Sequence, residues 1–237
     1  MRIVGLPAAS VKEAEQRTRS AITQSDEKWP QRRMVANLAP GALRKEGTHF
    51  DLALALGILA GSNALFAEDL DGWVIMGELS LDGSVRPVRG ILPAAITCRE
   101  EGRKGLVCPA ANAPEAAVIE GLQVIAVETL NDCLRFFRGG WEPPVVAPAP
   151  QRPTSLLGDM KEVKGHSGPK RALEIAAAGG HNLLLVGPPG SGKTMLAQRL
   201  PGILPAMTGD ESMQVTKIYS VAGMLDERCG LITERPF

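Results

Sequence analysis

The sequence predicts an α/β protein in two parts joined by a proline-rich connector. Three observations carry that reading. Short apolar runs of strand length alternate with segments of helical spacing along residues 1–140. Residues 143–153 (PPVVAPAPQRP) hold five prolines in eleven positions, a composition that favours extended, hydrogen-bond-poor backbone. Beyond it an apolar run (NLLLV, residues 182–186), a glycine-rich octapeptide and a helix-spaced segment follow one another directly, an order that reads as strand, loop, helix.

In chain order, a helix is expected over residues 11–24 with Ser10 as its cap, then a strand over 32–38 and a helix over 51–61. Strands over 73–79 and 84–88 are joined through Asp82-Gly83, a dipeptide that favours a hairpin. A helix over 91–101, strands over 105–108 and 123–127, and a helix over 130–137 complete the first part. After the connector, a helix over 168–178 carries Pro169 in its first turn, where a missing N–H costs nothing. Gly179-Gly180 leads into the apolar strand, a helix over 194–200 follows the glycine-rich loop, and a last helix over 210–219 is capped by Asp210 or Thr208.

Composition sets few further limits. The 237 residues suit one large or two small domains, and 44% hydrophobic content is enough for real cores. The 26 basic and 26 acidic residues cancel, and each part is close to neutral, so bulk charge does not point to a nucleic-acid partner. Cys98, Cys108, Cys133 and Cys229 are too widely spaced for a zinc or redox pair. They read as reduced, mostly buried thiols of a cytoplasmic protein, with no cleavable signal in view. His49, His166 and His181 stand too far apart in sequence to suggest a metal site. The longest apolar stretch, residues 52–60, is too short to span a membrane.

Chemistry concentrates in the octapeptide Gly187, Pro188, Pro189, Gly190, Ser191, Gly192, Lys193 and Thr194, which fits G-x-x-x-x-G-K-[ST] without a mismatch. Glycines let successive backbone N–H groups turn inward around phosphates, and the following helix adds the positive end of its dipole. Lys193 is expected to reach the β- and γ-phosphates of a nucleotide, and the Thr194 hydroxyl to ligate Mg²⁺.

With these residues in view, the chain resembles a known family. Residues 162–200 (EVKGHSGPKRALEIAAAGGHNLLLVGPPGSGKTMLAQRL), 216–223 (TKIYSVAG) and 231–237 (LITERPF) are similar to the magnesium chelatase subunit I-like branch of the AAA+ ATPases, and more narrowly to its competence-associated bacterial members. Residues 3–7 (IVGLP), 37–40 (NLAP) and 45–52 (KEGTHFDL) resemble the N-terminal domain of those members. The resemblance implies a Lon-protease-like (ribosomal S5 domain 2-like) domain over residues 1–140, a linker over 141–155 and the first part of an AAA+ P-loop domain over 156–237. It implies ATP and Mg²⁺ as cofactors, self-association into hexamers in intact relatives, and DNA as a partner. Val163 and Gly165 fall in the segment that resembles the adenine-contacting region, where His166 replaces the family's usual Gln.

Lon-type proteases pair a serine two residues after the glycine of K-x-G with a later lysine. Here Lys45, Glu46 and Gly47 match that segment, but His49 stands at the serine position, and residues 92–94 (LPA) replace the lysine. Lys45, Ser80 and Ser84 offer a rearranged pair, though a surface lysine and turn serines are the ordinary reading. The domain is therefore expected to be a non-proteolytic binding or assembly module. Asp226-Glu227 is a weak candidate for the acidic Mg²⁺ motif of a P-loop ATPase, because Gly223 interrupts the run before it.

The resemblance also implies that relatives begin some tens of residues before Met1 and carry an acidic motif, sensors, arginine finger and lid that this sequence lacks. Sheet edges left open would expose unpaired backbone groups and reduce solubility. Three functions stay open: a DNA motor in recombination and natural transformation, the ATPase subunit of a metal chelatase, and a nucleotide-binding fragment without turnover.

Overall fold

The computed structural model describes residues 1–150, 158–225 and 230–236. It is a mixed α/β structure whose contacts divide it into two compact units, Met1–Pro150 with Lys217–Gly230, and Gln151–Thr216 with Leu231–Phe237.

In the first unit the elements are β1 (Arg2–Val4), α1 (Ala9–Gln24), β2 (Val35–Asn37), α2 (Asp51–Gly61), α3 (Ala67–Leu70), β3 (Trp73–Ile75), β4 (Glu78–Leu79), β5 (Val85–Arg86), α4 (Ile91–Glu100), β6 (Gly105–Pro109), α5 (Ala113–Ala116), β7 (Val124–Val127) and α6 (Leu130–Phe137). Parallel strands in the order β3-β6-β7 form one sheet, β1 and β2 pair in parallel, and β4 and β5 form an antiparallel hairpin. All five residues of β6 are buried, as a parallel strand covered on both faces requires. Leu52, Leu56 and Leu59 of α2 are wholly buried against Ile22, Val107, Ile125 and Leu134. Each such side chain contributes up to about 1.5–3 kcal/mol relative to exposure.

Several elements lie where the residues placed them. Helix α2 spans the expected 51–61 and α6 the expected 130–137. Helix α6 starts at a reciprocal cap in which the Asp132 N–H donates to Thr129 Oγ1 at 3.2 Å and the Thr129 N–H donates to Asp132 Oδ2 at 2.9 Å. Asp82-Gly83 closes the β4–β5 hairpin, with Gly83 at φ 87°.

Other readings need correction. Ala8, not Ser10, is the N-cap of α1, and Ser10 sits inside the first turn with its carbonyl accepting from Arg17 at 3.0 Å. The expected strand over 73–79 breaks in two at Gly77. There the Gly77 N–H donates to the His49 carbonyl at 3.0 Å and the Gly77 carbonyl accepts from Leu52 at 3.1 Å, which draws the chain out of the sheet to the start of α2. The strand over 32–38 is shorter, at Val35–Asn37. Residues 141–150 carry no regular element, yet they are not free of contacts, since the Ala149 N–H donates to the Pro114 carbonyl at 3.2 Å. Residues 151–155 lie outside the described residues.

The second unit holds a 3₁₀ turn at Met160–Glu162, α7 (Ser167–Gly179), α8 (Lys193–Gln198), a second 3₁₀ turn at Pro201–Ile203, and the start of α9 (Gly209–Ala222), along which the division between the units runs. Thr208, rather than Asp210, caps α9: Thr208 Oγ1 accepts from the Glu211 N–H at 3.2 Å, and the Glu211 carboxylate accepts from the Thr208 N–H at 2.9 Å. A small core gathers Met160, Val163, Leu173 and Leu196.

The expected strand at 182–186 does not form. Its residues have no ladder partner, because the described residues of this unit contain no other strand to receive their N–H and C=O groups. Leu185 packs against the small core, while Leu184 and Val186 are each 84% exposed. An apolar run with unpaired backbone is a template for association. Light scattering of the isolated chain is expected to rise steeply with concentration, and Leu184→Lys to reduce that rise. A monomer that stays soluble at high concentration would contradict the expectation.

Candidate functional site

The glycine-rich loop connects residues 182–186 to α8. Gly190 and Gly192 adopt left-handed backbone angles, φ 79° and 76°. That conformation costs an L-residue roughly 1–2 kcal/mol, which glycine avoids. The N–H groups of Gly190, Gly192, Lys193 and Thr194 donate to no acceptor among the described residues. The Lys193 ammonium folds back over the loop, donating to the carbonyls of Gly187 at 2.8 Å and Pro188 at 2.7 Å and to Ser191 Oγ at 3.2 Å. The Ser191 N–H donates to the Pro188 carbonyl at 3.3 Å and tightens the turn across Pro189. Thr194 is exposed, and its hydroxyl has no hydrogen-bond partner among the described residues. One short loop thus presents four unpaired N–H donors, one cation and one free hydroxyl.

The second sequence-derived segment lies near this loop. Val163 is 4% exposed, with its side chain in the cluster that also takes Leu196 of α8. Its carbonyl accepts from the Lys170 ammonium. Gly165 and His166 follow at φ 70° and 54°, two consecutive left-handed residues that turn the chain into α7. The His166 imidazole lies alongside Gly192, 3.5 Å from where a Cβ would stand. Residues 166 and 192 are too far apart in sequence for any local pattern to show this proximity. Arg199 at the end of α8 completes the surround, with its guanidinium 3.5 Å from Glu162 and donating to the Asp159 carbonyl at 3.3 Å. Asp226-Glu227 lies outside the described residues.

Two family models match the chain, Subunit ChlI of Mg-chelatase over residues 1–112 and Magnesium chelatase, subunit ChlI over residues 159–237. The chain belongs to the magnesium chelatase subunit ChlI family. An uncharacterized protein of Mycobacterium tuberculosis is 44% identical over 238 residues, covering 100% of this chain and 47% of the relative. Competence protein ComM of Haemophilus influenzae is 41% identical over 224 residues, 92% of this chain and 44% of the relative. Lon protease 2 of Bacillus subtilis is 32% identical over 99 residues, 40% of this chain and 17% of that protein. The ChlI-family chain therefore spans about half the length of the first two relatives.

The residues at the Lon-like positions are engaged separately. Lys45 is buried, not on the surface as its charge suggested, and its ammonium donates to the carbonyls of Pro40 and, at 2.8 Å, Leu43. Ser84 donates to Asp82 Oδ1 at 2.7 Å, and Ser80 Oγ is buried without a hydrogen-bond partner. Burial holds His49 below the ordinary histidine pKa, partly offset by the nearby charge of Asp51. Cys98, Cys108 and Cys133 are free and buried, and desolvation pushes their thiols up, away from the reactive thiolate. Cys229 lies outside the described residues. No helix among the described residues is long and apolar enough to cross a membrane, and they contain no cluster of potential metal ligands.

Proposed function

We propose that the loop from Gly187 to Thr194 is the phosphate-binding loop of an AAA+ ATPase and that the chain binds ATP with Mg²⁺. The observation that carries this reading is the set of four unpaired N–H donors on Gly190, Gly192, Lys193 and Thr194, beside the Lys193 ammonium. A loop that turns several backbone N–H groups toward one place beside a cation is matched to an anion. The donor set fits a polyphosphate: hydrogen bonds from the backbone, a positive charge from Lys193, and the Thr194 hydroxyl to ligate the accompanying cation. Val163, Gly165 and His166 would hold the base end, since His166 lies beside Gly192 and Val163 shares a cluster with Leu196 of the following helix. Bound Mg²⁺ would draw charge from the phosphates during hydrolysis. What these residues do is bind and orient.

The first part of the chain, residues 1–140, fits a Lon-like domain that does not cleave peptides, joined by residues 141–155 to an AAA+ segment over 156–237. The match to Lon protease 2 over 99 residues supports a Lon-like part of the chain. The relative named for competence supports a role in competence, and a cytoplasmic, self-associating DNA motor in recombination is the activity proposed for the whole polypeptide. Metal insertion, after the family's name, is the alternative. Equilibrium binding of fluorescent ATP with and without Mg²⁺ tests the loop, and no saturable binding would end the reading. Turnover by the intact relatives separates the two activities, since stimulation by branched DNA favours the motor and stimulation by a porphyrin the chelatase.

A further inference from the structure

His166 does more in the second unit than turn the chain into α7. Its backbone is held at φ 54° and ψ 37°, left-handed angles uncommon for a residue with a side chain. Such angles persist where the surroundings fix them, and they collect at ligand clamps. The side chain is exposed, and its imidazole makes no hydrogen bond among the described residues. The outer end of the ring meets the glycine-rich loop: Cε1 and Nε2 each stand 3.5 Å from where a Cβ would project from Gly192. The Gly192 N–H is one of the four without an acceptor among the described residues. The Lys193 ammonium, by contrast, is held by the first residues of the loop, through the carbonyls of Gly187 and Pro188.

We infer that the His166 imidazole is a second side-chain donor of this site and hydrogen-bonds the phosphate chain rather than the base. The inference rests on the phosphate-loop reading and extends it to a residue outside the octapeptide. An imidazole always carries at least one N–H, and its partners select the nitrogen that holds it. No described residue engages either nitrogen of His166, so the proton can sit on Nε2, the atom nearest the loop. A phosphate oxygen is the acceptor that the neighbouring N–H groups already favour. The backbone of residues 163–166 is left to the base end.

The probe is inorganic tripolyphosphate with Mg²⁺, which offers phosphates without base or ribose. It is titrated into the full 237-residue chain and its variants at one pH and low protein concentration. The parent is expected to bind it saturably and Lys193→Ala to lose most of that binding, which checks the phosphate-loop reading by itself. His166→Phe keeps a ring beside Gly192 but has no N–H to donate. That variant is expected to melt with the parent and to bind tripolyphosphate about tenfold more weakly, the loss of one hydrogen bond to a charged acceptor. His166→Gln, with an amide N–H and no ring, is expected to recover part of the loss. A parent that binds neither tripolyphosphate nor ATP would end the loop reading itself. With that reading intact, the inference is overturned if His166→Phe binds tripolyphosphate as the parent does, if it weakens ATP alone, or if His166→Gln is no better than His166→Phe. It is equally overturned if the parent holds ATP but not tripolyphosphate.

Discussion

Lys193→Ala is expected to lower the affinity for labelled ATP by roughly ten- to a hundredfold, the equivalent of about 1.5–3 kcal/mol for a charge-assisted hydrogen bond. Among the described residues the ammonium is the one cation held over the loop, through the carbonyls of Gly187 and Pro188. A phosphate bound to the unpaired N–H groups beside it would lose its main electrostatic partner. The fold should hardly notice the change, because those carbonyls are exposed and water replaces the lysine. Melting temperature and affinity therefore separate: affinity falls while melting stays. Equal affinity in the variant and the parent would remove the phosphate-loop assignment, whatever the family match.

Arg17→Met should cost about 3 kcal/mol or more of stability, the usual result of stranding one member of a buried ion pair. Asp51 is wholly buried, and its carboxylate accepts from Arg17 Nε at 2.6 Å and Nη2 at 3.1 Å, with the Leu79 N–H at 3.4 Å as a third donor. Burial drives the Asp51 pKa upward, and Arg17 opposes it; the same bond raises the pKa of Arg17. Without Arg17 the burial outweighs the one remaining donor, the Leu79 N–H, so Asp51 takes up a proton on folding. A carboxyl whose folded pKa is raised contributes most below its unfolded value and loses that contribution as pH rises through the folded one. The variant should accordingly be most stable in acid and weaken toward neutral pH. Urea unfolding at low micromolar concentration reads both effects. The double variant Arg17→Met, Asp51→Leu should recover much of the loss, since two apolar side chains leave no buried charge. A double variant no better than the single would show that the pair acts through packing alone.

What local chemistry writes, the sequence carried. Helices α2 and α6 have the limits that apolar spacing and the Thr129 cap set, and the β4–β5 turn follows from Asp82-Gly83. The glycine-rich loop was legible for the same reason, since left-handed backbone at Gly190 and Gly192 is a property of those residues. Partners distant in the chain were not legible. Nothing near Arg17 or Asp51 announces their pairing across 34 positions, and nothing near His166 places it beside Gly192. Lys45 looked like a surface cation because its acceptors are carbonyls, which every residue has and no pattern marks.

The run at 182–186 shows the division most directly. Its composition determined that it is apolar, extended and unfit for water, and that a phosphate-type loop follows it. Whether it becomes a strand depends on other strands beside it, because a β-ladder satisfies backbone groups only between segments, whereas a helix satisfies them within one. The described residues supply no such neighbour, so tertiary structure left Leu184 and Val186 exposed. Sequence alone determined the longer helices, the hairpin and the loop, but not the short helices α3 and α5. The buried ion pair, the place of His166 beside Gly192 and the unpaired run were decided only where distant segments met or failed to meet.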